Sequence, residues 1–456
     1  MHKHMSKPGK LLGAALTLAL TLSLLTVSAS AAGEDIAIDA TNFPDQQFRT
    51  YVSEQFDTNK DLVLSEAERG QVTTINVSKQ GITDLKGIEV FPALEWLHCS
   101  NNALTQLDIS KNTNLNYLYC YNNQLTELDV SANSALTHLW CNFNGLSTLD
   151  VTHNPALREL TCGNNQLTEL DVSKNTKLYH LDCIHNQLTG LNTSSNPELV
   201  ELHCYQNQLT ELDVTHNTAL KKFDCSKNQL TALDVTQNPL LELLYCDQNR
   251  LTELDVTHNP ALKSLYCDEN KLTGLDVSQN PALHTLCCYT NPLNALDVTH
   301  NANLNKLYCN ATGLTELDLT QNAALQELDC KGNHLTTLDV SKNRALKKLD
   351  CHNNDPTALD LSHNLALEKL ICSSNEPTAL DVSANKALAE LYCGSNQLTV
   401  LDVSPNKALK AMWFADNHLT SLDLSQNAGL KDLRFEDNVY TLDERELRLL
   451  QAARSL

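Results

Sequence analysis

The chain has 456 residues, 42% apolar, 19% charged and 5% aromatic, with 16 cysteines and a formal net charge of −22. That apolar content excludes a disordered chain, while so few aromatic residues exclude several conventional cores and suit a leucine-dominated repeat array. The acidity excludes nucleic acid and anionic membrane surfaces as partners, because both recruit clustered Lys and Arg.

Lys3, Lys7 and Lys10 precede an apolar run from Leu11 to Val27, and Ala29-Ser30-Ala31 follows as a small-residue cleavage site. Residues 1–31 therefore read as an export signal. The alternative is a retained anchor, although the run is at the short end for spanning and no basic stop-transfer cluster follows it. Cleavage removes three positive charges and no acidic ones, leaving a secreted, extracellular chain with no membrane span. The first cysteine is Cys99, so no lipid-anchored cysteine follows the cleavage site; Leu-Pro, the core of a wall-sorting signal, occurs nowhere.

Residues 32–71 form the next unit. Asn42-Phe43-Pro44-Asp45 can start a helix that places Phe48, Tyr51, Val52 and Phe56 on one side, a cap for the end of a repeat core. The segment from Asp57 to Glu68 then resembles an EF-hand loop. That resemblance implies calcium held by Asp57, Asn59, Asp61, the Val63 carbonyl, Ser65 and Glu68 at positions 1, 3, 5, 7, 9 and 12. Leu62 departs from the Gly that the sharp turn needs. If calcium is not bound, the same side chains cap helices, and the role is structural either way; no other cofactor is required.

From about residue 72 to 440, one cysteine recurs every 21 residues, from Cys99 through Cys120 and Cys141 to Cys393, with Phe414 and Phe435 continuing the series and Cys287 alone off it. Around each runs L-x-x-L-x-C-x-x-N-x-L-T-x-L-D-V-S-x-N, as from Leu115 to Asn133. Self-similarity at this period marks a solenoid. The frame resembles the bacterial leucine-rich repeat, closest to the 21-residue IRREKO type of internalin-like proteins, which implies a parallel-strand concave face and turns or short strands on the convex side. Leu118 and Cys120 alternate with Tyr117, Tyr119 and Tyr121, so a short strand turns the first pair inward. About 17 coils, stacked at roughly 4.8 Å each, extend on the order of 80 Å.

Several columns recur within the frame. An Asn at 102, 123, 144 and onward, replaced by Thr312, is suited to pairing turn backbone groups coil after coil. A second Asn at 112, 133, 154 and onward to 427 marks the opposite turn. Beside it, His216, His258 and His300 alternate with Gln237, Gln279 and Gln321, which spaces the imidazoles roughly 10 Å apart, too far for a shared metal. The Asp column at 108, 129, 150 and onward either gathers cations or accepts hydrogen bonds from its own turn. For the cysteines, in-register stacking nearly 5 Å apart favours buried free thiols over disulfides, which want about 3.8 Å. Pro356 and Pro377 replace the frame Leu and are expected to bend or loosen two coils. Residues 441–456 read as a C-terminal helix or a truncated end.

The outward strand positions carry all three tryptophans and most tyrosines: Trp96, Tyr117, Tyr119, Tyr121, Trp140, Tyr205, Tyr245, Tyr266, Tyr289, Tyr308, Tyr392 and Trp413, interleaved with His98, His138 and His203 and several Asp. Such residues on a rigid surface suit protein or carbohydrate recognition, and they also cover an exposed strand. The densest groups are Trp96 to Trp140 and a run of Tyr245, Tyr266, Tyr289 and Tyr308. The resemblance implies a secreted protein- or glycan-binding module, as in the similar internalins. A structural, self-associating surface protein is the second reading. With no nucleophile beside a base and no CxxC, an enzyme is not expected, Cys287 being the one thiol placed to react.

Overall fold

The computed structural model describes residues 34–356, 358–436 and 438, so the export signal and the C-terminal segment lie outside the described residues. The chain opens with β1 (Ile36–Ala37), α1 (Gln46–Gln55), β2 (Val63–Leu64), α2 (Glu66–Arg69) and β3 (Thr74–Asn76). Seventeen three-residue strands follow at 21-residue intervals, from β4 (Trp96–His98) to β20 (Asp432–Arg434). From β3 onward each strand pairs in parallel with its neighbours in sequence alone, an open ribbon along the solenoid. The register aligns identical frame positions, Leu97 with Leu118 and Leu118 with Leu139. On the other side the described coils are turns, with one isolated bridge between Ala379 and Val400.

Most of the repeat strands bury the central residue between half-exposed neighbours, as Leu118 lies between Tyr117 and Tyr119. With Leu115, Cys120, Leu125 and Val130 of the same coil fully buried, the interior is a set of apolar columns that close only by stacking. Each buried Leu contributes roughly 1.5–3 kcal/mol by leaving water.

Two asparagine columns satisfy the turns. The Asn123 Nδ2 donates to the carbonyls of Cys99 at 3.1 Å and Cys120 at 3.0 Å, while its Oδ1 accepts from the Leu104 N–H at 3.0 Å. The second Asn reaches back in the same way, Asn133 Nδ2 donating to Ile109 and Asn112 carbonyls. Where Thr312 interrupts the first column its side chain offers no carbonyl, and the Leu293 N–H turns to Asn291 O instead. Pro356 and Pro377 are buried in the Leu slot and have no N–H to give. The freed oxygens of Asn375 and Asn396 accept from the Asn354 and Asn375 N–H groups, both at 2.8 Å. Strand pairing runs through both coils in unbroken register, so the ladder re-pairs there rather than breaking.

Asp45 is the N-cap of α1, its Oδ1 accepting from the Gln47 and Phe48 N–H groups. Its Oδ2 accepts from the N–H and hydroxyl of Thr83, which fastens the helix to the first coil. Phe48 and Val52 are fully buried, and Phe43 to Phe48 (5.8 Å) and Phe56 to Phe91 (5.3 Å) make edge-on contacts that seal the end of the core. Gly87 sits at φ 102° with Phe43 pressed on it, where a Cβ would come within 2.3 Å of the ring.

Candidate functional site

The strand face carries three outward columns, and the register brings their aromatic residues into contact. Tyr119 lies 5.8 Å from Trp96 and 4.6 Å from Trp140, ring to ring, and Tyr121 lies 6.3 Å from Trp140. Tyr117 stacks on His138 at 4.6 Å, and His98 sits 5.6 Å from Tyr119. The Trp140 indole N–H donates to Glu159 Oε1 at 2.9 Å, which fixes the ring. Burial holds the His98 and His138 imidazoles below the ordinary histidine range, Lys79 adding to it at His98 and Glu159 opposing it at His138. The result is one half-buried, neutral aromatic patch across three adjacent strands, with its rings held by one another.

The other predicted residues are placed differently. The Tyr245 and Tyr266 rings meet at 4.8 Å, tilted by 32°, but Cys287 follows them in the column before Tyr308, and Tyr289 stands in the neighbouring column, so the four do not form one run. The Tyr308 hydroxyl donates to Glu327 at 2.7 Å, and Tyr205 meets His185 at 3.1 Å. Trp413 is covered by the Arg434 guanidinium at 3.9 Å, with Tyr392 at its edge. Of the predicted residues, only the group from Trp96 to Trp140 forms a multi-ring surface.

Cys287 is not the reactive thiol its outward column suggested. It is 5% exposed between Tyr266 and Tyr308, and burial, followed by the Asp268 carboxylate, pushes its thiol far above the ordinary range. All sixteen cysteines are buried and unpaired; burial alone takes Cys99 up to about 12. Thiols this protonated are poor nucleophiles.

The loop from Asp57 to Glu68 takes a sharp turn with Leu62 in the left-handed region at φ 63°. Its acidic side chains accept from the loop's own backbone: Asp57 from the Leu62 N–H, Asp61 from the Val63 N–H. Both Glu68 oxygens are engaged, one by Thr58 and the other by Ser65, and these bonds, that of the Thr58 hydroxyl first, take its carboxyl down to about 2. The predicted oxygens share one loop, a hard-donor set of the kind calcium takes, but Glu68 must release Thr58 and Ser65 to serve as a bidentate ligand. The Asp column behaves as turn caps: Asp129 accepts from the Ser131 N–H at 2.9 Å, and Asn192 does the same for Ser194. Along that flank an open groove of about 1940 Å³ runs from Thr148 to Gly274, lined by the capping Asp residues and free of aromatic rings.

Three features are additional to the sequence reading. One is a left-handed residue in almost every coil, including Phe143 at φ 54° and Thr290 at φ 52°. Another is the effect of stacking Asp247 on Asp268 with Asp224 one column aside, where burial first, and then Asp268, raises Asp247 to about 6. The third is His180, Glu201 and His203, whose ligand atoms all lie within 4.8 Å of one another. A histidine one coil before a Glu-x-His strand was the available signal.

Residues 92–133 match the family model of leucine-rich repeats in two copies. Internalin J of Listeria monocytogenes is 41% identical over 71 residues, a match spanning 16% of this chain and only 8% of that relative. The functional domain of InlJ from Listeria monocytogenes, a structure that includes a cysteine ladder, is 38% identical with a TM-score of 0.76, over 81% of this chain and 83% of that one. A leucine-rich repeat protein of Leptospira interrogans shares the fold at 24% identity and a TM-score of 0.63, over 84% and 94% of the two chains. YopM from Yersinia enterocolitica does so at 24% and 0.59, over 82% and 90%.

Proposed function

The chain belongs to the internalin-type bacterial leucine-rich repeat proteins, and from that premise we propose that it is a secreted or surface-associated module that binds a protein on its strand face, centred on Trp96, Tyr117, Tyr119, Tyr121 and Trp140. The observation that carries the reading is the contact between these five rings across three strands, flanked by His98 and His138. Rings already ordered by their neighbours lose little entropy on binding, and indole and phenol groups dominate interface energetics. Export rests on Lys3, Lys7 and Lys10 with the apolar run behind them. The family scaffold is a binding one, and the reading assigns the chain no catalytic role.

The test is a binding screen of the protein against host-surface proteins, with mucin glycans and cell-wall polymers beside them. Tyr119→Ala and Trp140→Ala variants are included after circular dichroism has shown the strand signal intact. A protein ligand whose affinity falls at least about thirtyfold in either variant supports the reading, the range of an interface hot spot of roughly 2 kcal/mol. A glycan bound in place of a protein changes the ligand class. Equal binding by native chain and variants removes the patch as the site, and reversible self-association in sedimentation would then favour a structural surface protein.

A further inference from the structure

Midway along the strand face, His180 and Glu201 face each other in register on adjacent strands, and His203 lies two residues after Glu201, on the same face. Glu201 Oε2 stands 3.2 Å from His180 Nδ1 and 3.8 Å from His203 Nε2, with the two rings 5.7 Å apart. The other carboxylate oxygen, Oε1, is held by Lys222 Nζ at 2.7 Å. The three side chains are 20% to 28% exposed. Asp182 and Asp224 flank His203 on its own column, adding negative charge around the trio.

We propose that His180, Glu201 and His203 form a binding site for a divalent transition metal of the zinc class. Two imidazoles and one carboxylate are a borderline donor set that suits Zn2+, Cu2+ or Ni2+ rather than calcium or magnesium. Metal bonds of about 2.0–2.2 Å place tetrahedral ligand atoms about 3.3 Å apart. The His180–Glu201 pair already has that separation, the Glu201–His203 pair needs to close by about half an ångström, and the two imidazole nitrogens, within 4.8 Å of one another, draw together by rotation of the same side chains. Lys222 acts on the outer oxygen and so keeps Oε2 turned toward the imidazoles, as outer partners do around metal-bound carboxylates. Three protein ligands leave one position open toward solvent, where a donor from a bound macromolecule can complete the sphere. The site stands independently of the aromatic patch, two coils away.

Isothermal titration of the whole protein with Zn2+, and optical titration with Co2+, test the site. One ion per chain is expected, with Co2+ showing ligand-field bands free of thiolate charge transfer. His180→Gln and His203→Gln are each expected to weaken binding at least tenfold, while His258→Gln, on an exposed turn, leaves it unchanged. Absence of uptake, equal uptake in all the variants, or a thiolate charge-transfer band placing the ion on cysteine would overturn the assignment. The last outcome is read on the native protein, so the test does not depend on the variants folding.

Discussion

The hydroxyl of Thr193 donates to the side-chain oxygen of Asn217 at 2.8 Å, across 24 residues of sequence. Thr193 stands where neighbouring coils have Val, such as Val172 and Val214. In those coils the corresponding oxygens, among them Asn196 Oδ1 and Asn238 Oδ1, are buried without a protein partner. A buried acceptor left unpaired costs about 1–3 kcal/mol, and a hydrogen bond returns about 1 kcal/mol net. Thr193→Val is therefore expected to lower stability by about 1 kcal/mol, and Val214→Thr, which offers the same hydroxyl to Asn238, to raise it by a similar amount. Urea midpoints of the two variants check this; shifts of the same sign would sink the pairing argument.

The first asparagine column should be far less tolerant. Asn228 Nδ2 donates to the Cys204 and Cys225 carbonyls at 3.1 and 3.0 Å, and its Oδ1 accepts from the Leu209 N–H at 3.0 Å. Asn228→Ala leaves the buried Leu209 N–H without its acceptor and takes one of two amide donors from each carbonyl, Asn207 still serving Cys204 and Asn249 still serving Cys225; a loss of about 2–3 kcal/mol is expected. Gln229→Ala, one residue on, removes little and should stay within about 0.5 kcal/mol. Denaturant unfolding of both proteins reads the contrast, and near-equal losses would contradict it.

The repeating part of the architecture is visible in single residues. Leu118 and Cys120 alternate with tyrosines, Asn123 recurs at fixed spacing, and stacking converts each into a column, so period alone predicts burial. Placement that depends on the residue next door in the stack is not visible this way. Cys287 occupies an outward position yet is covered by Tyr266, Tyr308 and Asp268, which belong to other coils. The His180–Glu201–His203 trio likewise depends on rotamers that converge, with Lys222 turning the carboxylate. The five-ring patch could be read from column membership because large rings on adjacent strands lie within reach of one another. The same period separates Tyr289 from Tyr266 and Tyr308, 23 residues after the first and 19 before the second, so its place one column aside was legible too.

Leu62 is held at φ 63° and is 61% exposed, so its side chain gains little from packing while its backbone is strained. The left-handed conformation costs an L-residue roughly 1–2 kcal/mol, and glycine adds about 0.5–1 kcal/mol of unfolded-state entropy. Leu62→Gly is thus expected to stabilise the cap by up to about 1 kcal/mol, read as a higher melting temperature. We also propose that the loop takes calcium, with Asp57, Asn59, Asp61, Val63, Ser65 and Glu68 as its ligands. On that reading Ca2+ raises the melting temperature further, more in Leu62→Gly than in the native chain, and not in Glu68→Gln. A melting temperature indifferent to Ca2+ in all three proteins would leave the loop a helix-capping device.

The acidic stack on the strand face makes stability depend on pH in a direction opposite to that of a salt-bridged carboxylate. Burial first, and then the charges of Asp268 and Asp224, raise Asp247 from its ordinary value of 3.8 to about 6. Between those values the folded chain holds a proton that the unfolded chain has released, so stability falls as pH rises through the window and the full cost is present above it. Below about pH 4 both states are protonated and the cost vanishes. Asp247 is partly solvated, which screens its charge and limits the cost to the order of 1–2 kcal/mol. Asp247→Asn keeps the shape and removes the charge; it is expected to stabilise the protein by that amount at about pH 7 and to have almost no effect at about pH 4. Urea unfolding at the two pH values provides the check, and a gain of equal size at both would show that shape or hydrogen bonding, rather than the buried charge, sets the cost at this position.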